Sequence, residues 1–570
     1  MLIVATAGHV DHGKSTLVRA LTSMEPDRLA EERRRGLTIE LGHVSMTTRH
    51  GTEVAFVDVP GHRRFIRTML SGVGAIDACL FVVDATEGWK PQSEEHLRIL
   101  DLLGHERGVV ALTKVDAVDE ATLHQRLDDL AVRLGGTFLA TAPVVALSAR
   151  DGTGLHELEQ QLERLAARPT RTDGPRSRLW VDRSFVIPGA GTVVTGTLSD
   201  GSVTVGDELA VVPGGRTFRT RTMESLRHPV RHAGAGTRLA VGLSNATTDQ
   251  VPAGAALVTP DAWHQAHWVD AQLTVLPGLG HDLSRRGAFA MYLGSAGVRV
   301  QLRVLQGDSI APGATGLVRL HLGHGLAAQP GDRFVLRDDG RSETVGGGQV
   351  LELDPPTRAS VSRPALSIEA TIGHHGWIDA DDLYRRTGER LTPTVDRWVV
   401  APDAWERSVE DLTAAVAEGG PAGLAAGELD ERSAAVARGC AAFVVEGGRV
   451  RAVGEADELA QHPVVIALRA SPFDPPPVDD VDPDLWRELV RRGLVVRRGG
   501  VTFAGSSIDL AARLLAPVLD GRPEGITVAD ARNLFGSTRR VVVPLLEELD
   551  ARGVTVRRDD RRTARPGRGT

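Results

Sequence analysis

The octapeptide Gly8-His-Val-Asp-His-Gly-Lys-Ser15 limits this chain more than any other stretch. Its G-x-x-x-x-G-K-S spacing follows directly on the apolar run Leu2–Ala7. A strand that ends in such a loop and continues as a helix turns backbone N–H groups toward phosphate, with the helix N-terminus behind them. Asp11, His12, Gly13 and Thr16 complete the cradle. Lys14 is placed to reach the β- and γ-phosphates, and the Ser15 hydroxyl suits Mg²⁺. The spacing predicts an α/β domain built on a buried first strand.

Three further motifs follow in the order a single nucleotide-binding domain requires. Asp58-Val-Pro-Gly-His62 follows the apolar run Val54–Val57. Asp58 can hold a Mg²⁺ shell through water, and Gly61 can offer its N–H to a γ-phosphate. Thr113-Lys114-Val-Asp116 follows Gly108–Leu112. Its aspartate can accept both the N1–H and the 2-amino group of guanine, a pair that adenine does not present. Ser148-Ala149 closes Val144–Leu147 and can supply a backbone N–H to the guanine O6. Each motif falls at the C-terminal end of a predicted parallel strand, where doubly wound sheets bind nucleotides. The ligand these residues imply is GTP/GDP with Mg²⁺.

Composition points the same way. The chain has three lysines, Lys14, Lys90 and Lys114, and every other basic residue is arginine. Two of the three sit inside the nucleotide motifs, where a compact ammonium on a straight stem is not interchangeable with a planar guanidinium. With 570 residues the chain predicts several domains. Two cysteines, Cys79 in an apolar run and Cys440 far from it, offer neither a disulfide framework nor a metal cluster. The leading apolar run is short and lacks a basic flank, and no long apolar segment follows, so the expectation is a cytoplasmic protein with no membrane segment. The formal net charge of −8 confines any nucleic-acid surface to a local patch.

Helix and strand patterns alternate to the amphipathic segment Leu155–Leu165, which sets a nucleotide-binding domain over 1–170. Arg168–Pro175 is a linker. Short valine-rich runs then recur between Gly, Pro and Asp, as in Gly191–Gly196, Glu208–Val212 and Arg333–Leu336, and predict two β-barrels over 176–259 and 260–355. Asp354–Pro364 is a second linker. Over 360–570 three helix-then-hairpin patterns recur, in Ala442–Arg451, Leu494–Phe503 and Val554–Arg562, with a weaker copy in Ile368–Val400. They predict three or four tandem winged-helix units, the last over about 510–565. In that last unit Thr527 caps a short helix ending near Gly536. Ser537 caps a second, closed by Gly553, in which Pro544 should force a kink or a shorter first turn. Arg539 and Arg540 begin this helix, and Arg557, Arg558, Arg561 and Arg562 sit on the hairpin. Together they form a footprint for a nucleic-acid backbone or a looped-out base, against a bland alternative of a solvated face balanced by Glu547, Glu548, Asp559 and Asp560.

Gly8–Ser15, Asp58–His62 and Arg33-Arg-Arg-Gly-Leu-Thr-Ile-Glu40 together resemble translational GTPases of the EF-Tu class, and Gly189–Gly196 resembles the second domain of that class. Val181–Phe185, Gly331–Arg337 with Val345–Gly348, and the helical tail are similar to its SelB family, the selenocysteine-specific elongation factors. The resemblance spans essentially the whole chain, strongly to about residue 355 and patchily over 360–500. It implies that Thr38 binds Mg²⁺ only beside a γ-phosphate, and that His62 positions the attacking water. Val10 and Leu37 would gate that histidine until the ribosome engages. It places Asp182, Arg183 and Arg238 around the aminoacyl end of selenocysteinyl-tRNA, where two guanidiniums favour a selenolate over the serine hydroxyl of the precursor. It also implies that the tail, through Arg539, Arg540, Arg557 and Arg558, binds an mRNA hairpin (the SECIS element) near a UGA codon, and that the protein is a monomer. One motif departs from the family: Thr113 stands where asparagine is usual, which alters nucleotide affinity while Asp116 keeps the guanine discrimination. Two other readings remain at this stage: another three-domain GTPase of the EF-Tu class, which leaves the tail unexplained, and a GTP-gated RNA-binding regulator without tRNA cargo.

Overall fold

The computed structural model describes every residue except 1, 27–37, 63–64, 75, 168–173, 190, 420–422, 454–458, 479–480, 523 and 565–570, and of Asp484 the backbone alone. The chain forms two bodies, residues 1–392 and 393–570.

The first body begins with six strands: β1 (Leu2–Ala7), β2 (Gly42–Thr47), β3 (Glu53–Asp58), β4 (Ala78–Asp84), β5 (Gly108–Thr113) and β6 (Val144–Ala146). They lie in the order β2-β3-β1-β4-β5-β6, parallel except for β2. Every residue of β1, β4 and β5 is buried. Helices cover both faces of a parallel sheet, so its strands are apolar throughout rather than in alternation. Ile3, Ala5 and Ala7 face one core while Leu2 and Val4 face the other. Cys79 is buried in β4, and burial holds its thiol far above the ordinary range. The four motifs emerge together at the C-terminal ends of β1, β3, β5 and β6.

The helix Pro91–Leu102 fixes the start of the phosphate loop. The Nδ1 of His96 accepts the Gly8 N–H at 3.1 Å, and the Gln92 side-chain oxygen accepts the Val10 N–H at 3.3 Å. His96 is 2% exposed. Burial, with Lys14 and His9 nearby, pushes its ring down to about 3, so it stays a neutral acceptor.

Two barrels follow. In the first, six strands between Arg178 and Val258 close on themselves when Glu208–Val212 pairs with both Thr217–Ser225 and Ala256–Val258. The second is a closed six-stranded barrel from Ala266 to Leu353. Its strand Ala296–Val304 alternates strictly between buried and exposed residues, the pattern of a barrel with a packed interior. The barrels are joined by arginines on the first barrel strand and the residues before it. Arg178, 3% exposed, meets Asp332 at 2.6 Å and Asp200 at 2.9 Å and lies over Trp263. Arg176 lies 4.0 Å over the same indole and donates to the carbonyls of Tyr384 and Arg385, near the end of the helix Ala380–Thr387.

The expected second linker is not free chain. The Asp354 carboxylate accepts the Trp268 N–H at 2.6 Å and pairs with His264 at 2.6 Å, and Ser362, fully buried, donates to Asp270. These bonds strap the segment to the second barrel. The helices Ile368–His375 and Ala380–Thr387 therefore belong to the first body, although composition assigned them to the tail.

In the second body the three expected hairpins are present, at Phe443–Ala452, Val495–Ala504 and Thr555–Ala564, each preceded by helices. Thr527 caps Val528–Phe535 in a capping box with Asp530. Ser537 does not cap the next helix. Its N–H closes the preceding helix onto the Arg532 carbonyl, so Arg539–Ala551 starts one residue later behind Thr538. Pro544 is the sixth residue of that uninterrupted helix. The carbonyl it leaves unserved is that of Arg540, in the exposed first turn where water reaches. Gly553 ends the helix in the left-handed region at φ 72°. Among the described residues no helix is long and apolar enough to cross a membrane.

Two outcomes are expected. Arg178→Met leaves the partly buried Asp200 and Asp332 beside an apolar chain and should destabilise the first body by about 2–3 kcal/mol, read as lowered thermal stability with secondary structure intact. His96 binds no proton in the folded state between its ordinary value of 6.5 and about 3, whereas the unfolded chain does. Stability is therefore lost as pH falls below 6.5. His96→Gln keeps an acceptor for Gly8 and should flatten that loss by up to about 1.4 kcal/mol per pH unit, measured as melting temperature from pH 7 to 4.

Candidate functional site

At the phosphate loop, Gly13 adopts the left-handed region at φ 87° and opens the helix Lys14–Thr22. Lys14, 6% exposed, donates to the carbonyls of Gly8 at 3.1 Å and His9 at 2.7 Å, and burial lowers its amine to about 8. Gly61 is required by proximity, since a Cβ there would collide with the Lys14 amine and the Val10 backbone. His62, half-buried, lies beside Phe65 with ring centres 6.1 Å apart. Leu37, the other expected gate residue, and residues 33–36 lie outside the described residues.

The three residues expected to hold Mg²⁺ converge. The Ser15 hydroxyl donates to Asp58 at 2.6 Å and lies 2.9 Å from the Thr38 hydroxyl. The other Asp58 oxygen accepts from Thr6 at 2.8 Å, and burial raises this carboxyl above its ordinary value against those hydrogen bonds. One carboxylate and two hydroxyls are hard oxygen donors that suit Mg²⁺ when phosphate oxygens complete the shell.

A cavity of about 330 Å³ beside the loop is lined by Gly13, Thr16, Thr113, Lys114, Asp116 and Ser148–Arg150. Thr113 braces the cradle directly, its hydroxyl donating to the His12 carbonyl at 2.8 Å. Lys114 pairs with Asp84 at 2.6 Å and donates to the Asp11 carbonyl at 2.9 Å. Asp116 stands exposed at the cavity. The Ser148 N–H is already donated to the Thr153 carbonyl at 3.0 Å, which leaves the Ala149 N–H for a ligand. Lys90, outside the motifs, pairs with Glu87 at the surface.

A second cleft, about 730 Å³, opens where this domain meets both barrels and is lined by Glu40, Leu41, Arg67, Asp182, Arg183 and Tyr292 among others. Asp182 and Arg238 form a two-pronged pair at 2.5 and 3.0 Å, and Thr195 also donates to Asp182. Arg183 instead donates to the Leu41 carbonyl and lies 3.7 Å from Glu40. The three expected residues are thus together, with Arg238 paired to Asp182 and Arg183 turned to Leu41 and Glu40.

In the tail Arg539, Arg540, Arg557 and Arg558 are exposed, and no ion pair engages them among the described residues. Arg562 is a correction to the footprint. It is 4% exposed and pairs with Asp550 at 2.9 Å, because alternation along the hairpin turns it inward. Arg561 donates to the Gly525 carbonyl at 3.0 Å. The residues missed in the sequence are Thr6, Gln92 and His96. The Gln92/His96 spacing of four on one helix was the available signal.

The family model of the elongation factor Tu GTP-binding domain matches residues 1–168. That of the selenocysteine-specific elongation factor β-barrel domain matches 270–357, and that of the SelB winged helix 518–564. A selenocysteine-specific elongation factor of Desulfomicrobium baculatum is 37% identical over 65% of this chain, which spans 59% of that protein's length. Elongation factor Tu 2 of Streptomyces avermitilis is 31% identical over 62% of this chain and 97% of its own. A crystal structure of the bacterial selenocysteine-specific factor EF-Sec superposes with a TM-score of 0.71, at 23% identity and 99% coverage of both chains, a likeness of fold. The chain belongs to the EF-Tu class of translational GTPases, and its second barrel and last helical unit match the models of the selenocysteine-specific factors.

Proposed function

We propose that this protein binds and hydrolyses GTP, carries selenocysteinyl-tRNA to the ribosome at UGA codons, and is tethered there by an mRNA hairpin held in its helical tail. The observation that carries the reading is the joining, in one body, of a guanine-type cavity and the Asp182/Arg183/Arg238 cluster. Ser15, Thr38 and Asp58 would hold Mg²⁺, which supplies positive charge to the β- and γ-phosphate oxygens. Lys14 exchanges its two carbonyl partners for phosphate oxygens. Asp116 and the Ala149 N–H select guanine. His62 orients the attacking water, and Gly61, pressed on the Val10 backbone, ties that histidine's position to the phosphate loop.

The cargo pocket works by competition. A selenol is more acidic than a thiol, whose ordinary pKa is about 8.5, and enters as an anion able to take Arg238 from Asp182 or to meet Arg183. A serine hydroxyl carries no charge and leaves the Asp182–Arg238 pair unbroken, so it gains no charge-assisted bond. Tethering by the tail raises the local concentration of loaded factor at its codon. Delivery by a single chain without a second copy follows the same reading.

The deciding measurement is binding of selenocysteinyl-tRNA and seryl-tRNA, on one tRNA body, with GTP and with GDP. A preference for the selenocysteinyl form of at least about tenfold, only with GTP and lost in Arg238→Ala, is expected. Equal binding would assign a different cargo, and no binding would assign a GTP-gated RNA regulator. His62→Ala should slow ribosome-stimulated hydrolysis by roughly 10²-fold or more with the GTP dissociation constant unchanged, measured in single turnover. A weakened GTP affinity with normal hydrolysis would make His62 a binding residue instead.

A further inference from the structure

The hairpin Val495–Ala504 does not project as a free wing. Its turn, Gly499-Gly500, has both residues in the left-handed region at φ 51° and 75°, which makes a tight two-residue reversal. Register places Val496, Arg498, Val501 and Phe503 on one face and Val495, Arg497, Thr502 and Ala504 on the other. The two faces have different partners. Val495 and Ala504 complete their own unit's core with Val465, Leu468 and Leu489. Val501 and Phe503 enter the core of the following unit, with Leu515, Val542, Leu545 and Leu549. The two units therefore share side chains and are oriented as one piece.

This packing lays the hairpin along the helix Arg539–Ala551. Arg498 lies 3.9 Å from Glu548, and Gly499 comes so close to Pro544 that a Cβ would touch its ring at 2.8 Å. The Arg498 side chain thus sits at Glu548 and the hairpin turn at Pro544, one turn nearer the helix N-terminus. Arg540 is one further turn on, on the same helical face as Pro544 and Glu548, and so about 12 Å along the axis from the Glu548 position where Arg498 lies. Arg498 is not consumed by Glu548, whose nearer partner is Arg552 at 3.1 Å, and its side chain remains 45% exposed. Arg497, on the opposite face, does not share this surface.

We infer that the RNA-binding face of the tail is composite: Arg498, from the wing of one unit, extends the track of backbone phosphates bound by Arg539 and Arg540 on the helix of the next. This deepens, and rests on, the reading that the tail binds an RNA hairpin. Exposed arginines along a wing and the start of a neighbouring helix fit the phosphate backbone of a stem, which is read by charge and shape rather than by sequence.

The test uses the full chain and an RNA hairpin enriched on it from a pool with a fixed stem and a randomised loop. Dissociation constants are measured from 0.05 to 0.3 M KCl for the wild type, Arg498→Ala, Arg498→Lys and the Arg539→Ala/Arg540→Ala pair. Arg498→Ala should weaken binding by roughly 5- to 20-fold at low salt and flatten the slope of log affinity against log salt by about one phosphate contact, close to 0.9. Arg498→Lys, which keeps the charge, should keep the wild-type salt slope. Unchanged affinity and slope in Arg498→Ala, with a loss in the Arg539/Arg540 pair, overturns the composite face and leaves the last unit as sole binder. A loss in Arg498→Ala with the salt slope unchanged also overturns it, since the effect is then packing. Failure of the wild type to enrich any hairpin sinks the underlying reading of the tail instead.

Discussion

The carboxylate of Asp58 is the point on which the nucleotide end of this molecule turns. It is fully buried, and one oxygen accepts from Thr6 on the first strand while the other accepts from Ser15 on the phosphate loop. The Thr6 hydroxyl in turn accepts the Val59 N–H, so two neighbouring strands and the loop between them are held in one register by a single acid. Such a group is costly to bury unless satisfied, and here three hydroxyls surround it. That same demand makes it ready for a divalent ion: removing the Ser15 donor in favour of a cation replaces a hydrogen bond with a stronger attraction and leaves Thr6 in place.

From this centre order is transmitted through two helices. Pro91–Leu102 holds the Gly8 and Val10 N–H groups through His96 and Gln92, and its Glu95, next to His96, pairs with the buried Arg337 of the second barrel at 3.0 Å. The helix Ile66–Val73, which follows the Asp58–His62 motif, carries Arg67, paired with Asp339 of that barrel at 2.8 Å. Movement of either helix is thus felt at both the phosphate loop and the barrel. The cleft bearing Asp182 and Arg183 lies at the same junction, lined by residues of the nucleotide-type domain and of both barrels.

How far the sequence disclosed this depends on the range of the forces involved. Strands such as Leu2–Ala7 and Glu208–Val212 were legible to the residue because a continuous apolar run bounded by Gly or Pro has few alternatives. The capping box at Thr527 was legible because it is local. What was hidden depended on partners far away in the chain. Asp354–Pro364 has linker composition, but its acid finds His264 and two backbone N–H groups across the barrel mouth. Arg238 was grouped with Asp182 by resemblance alone, and only the fold brings Asp182, 56 positions earlier, to 2.5 Å from it. Ser537 lost its capping role to the helix before it, a competition between neighbours that propensity alone does not rank.

A chain that has nearly abandoned lysine has to use arginine for two opposed purposes, and burial separates them. Arg176, Arg178, Arg319, Arg337 and Arg562 are all under 10% exposed; the first four meet backbone carbonyls or acids through several of their five donors, and Arg562 meets Asp550. A planar guanidinium also stacks on Trp263 from either side of one joint, which an ammonium cannot do as well. Arg539, Arg540, Arg557 and Arg558 stay in water without an ion pair among the described residues. Sequence composition counts both groups alike. Only the position of each side chain relative to a core distinguishes the arginines that brace the fold from those left in water, and Arg562, four residues after Arg558 on the same hairpin, marks the boundary between them.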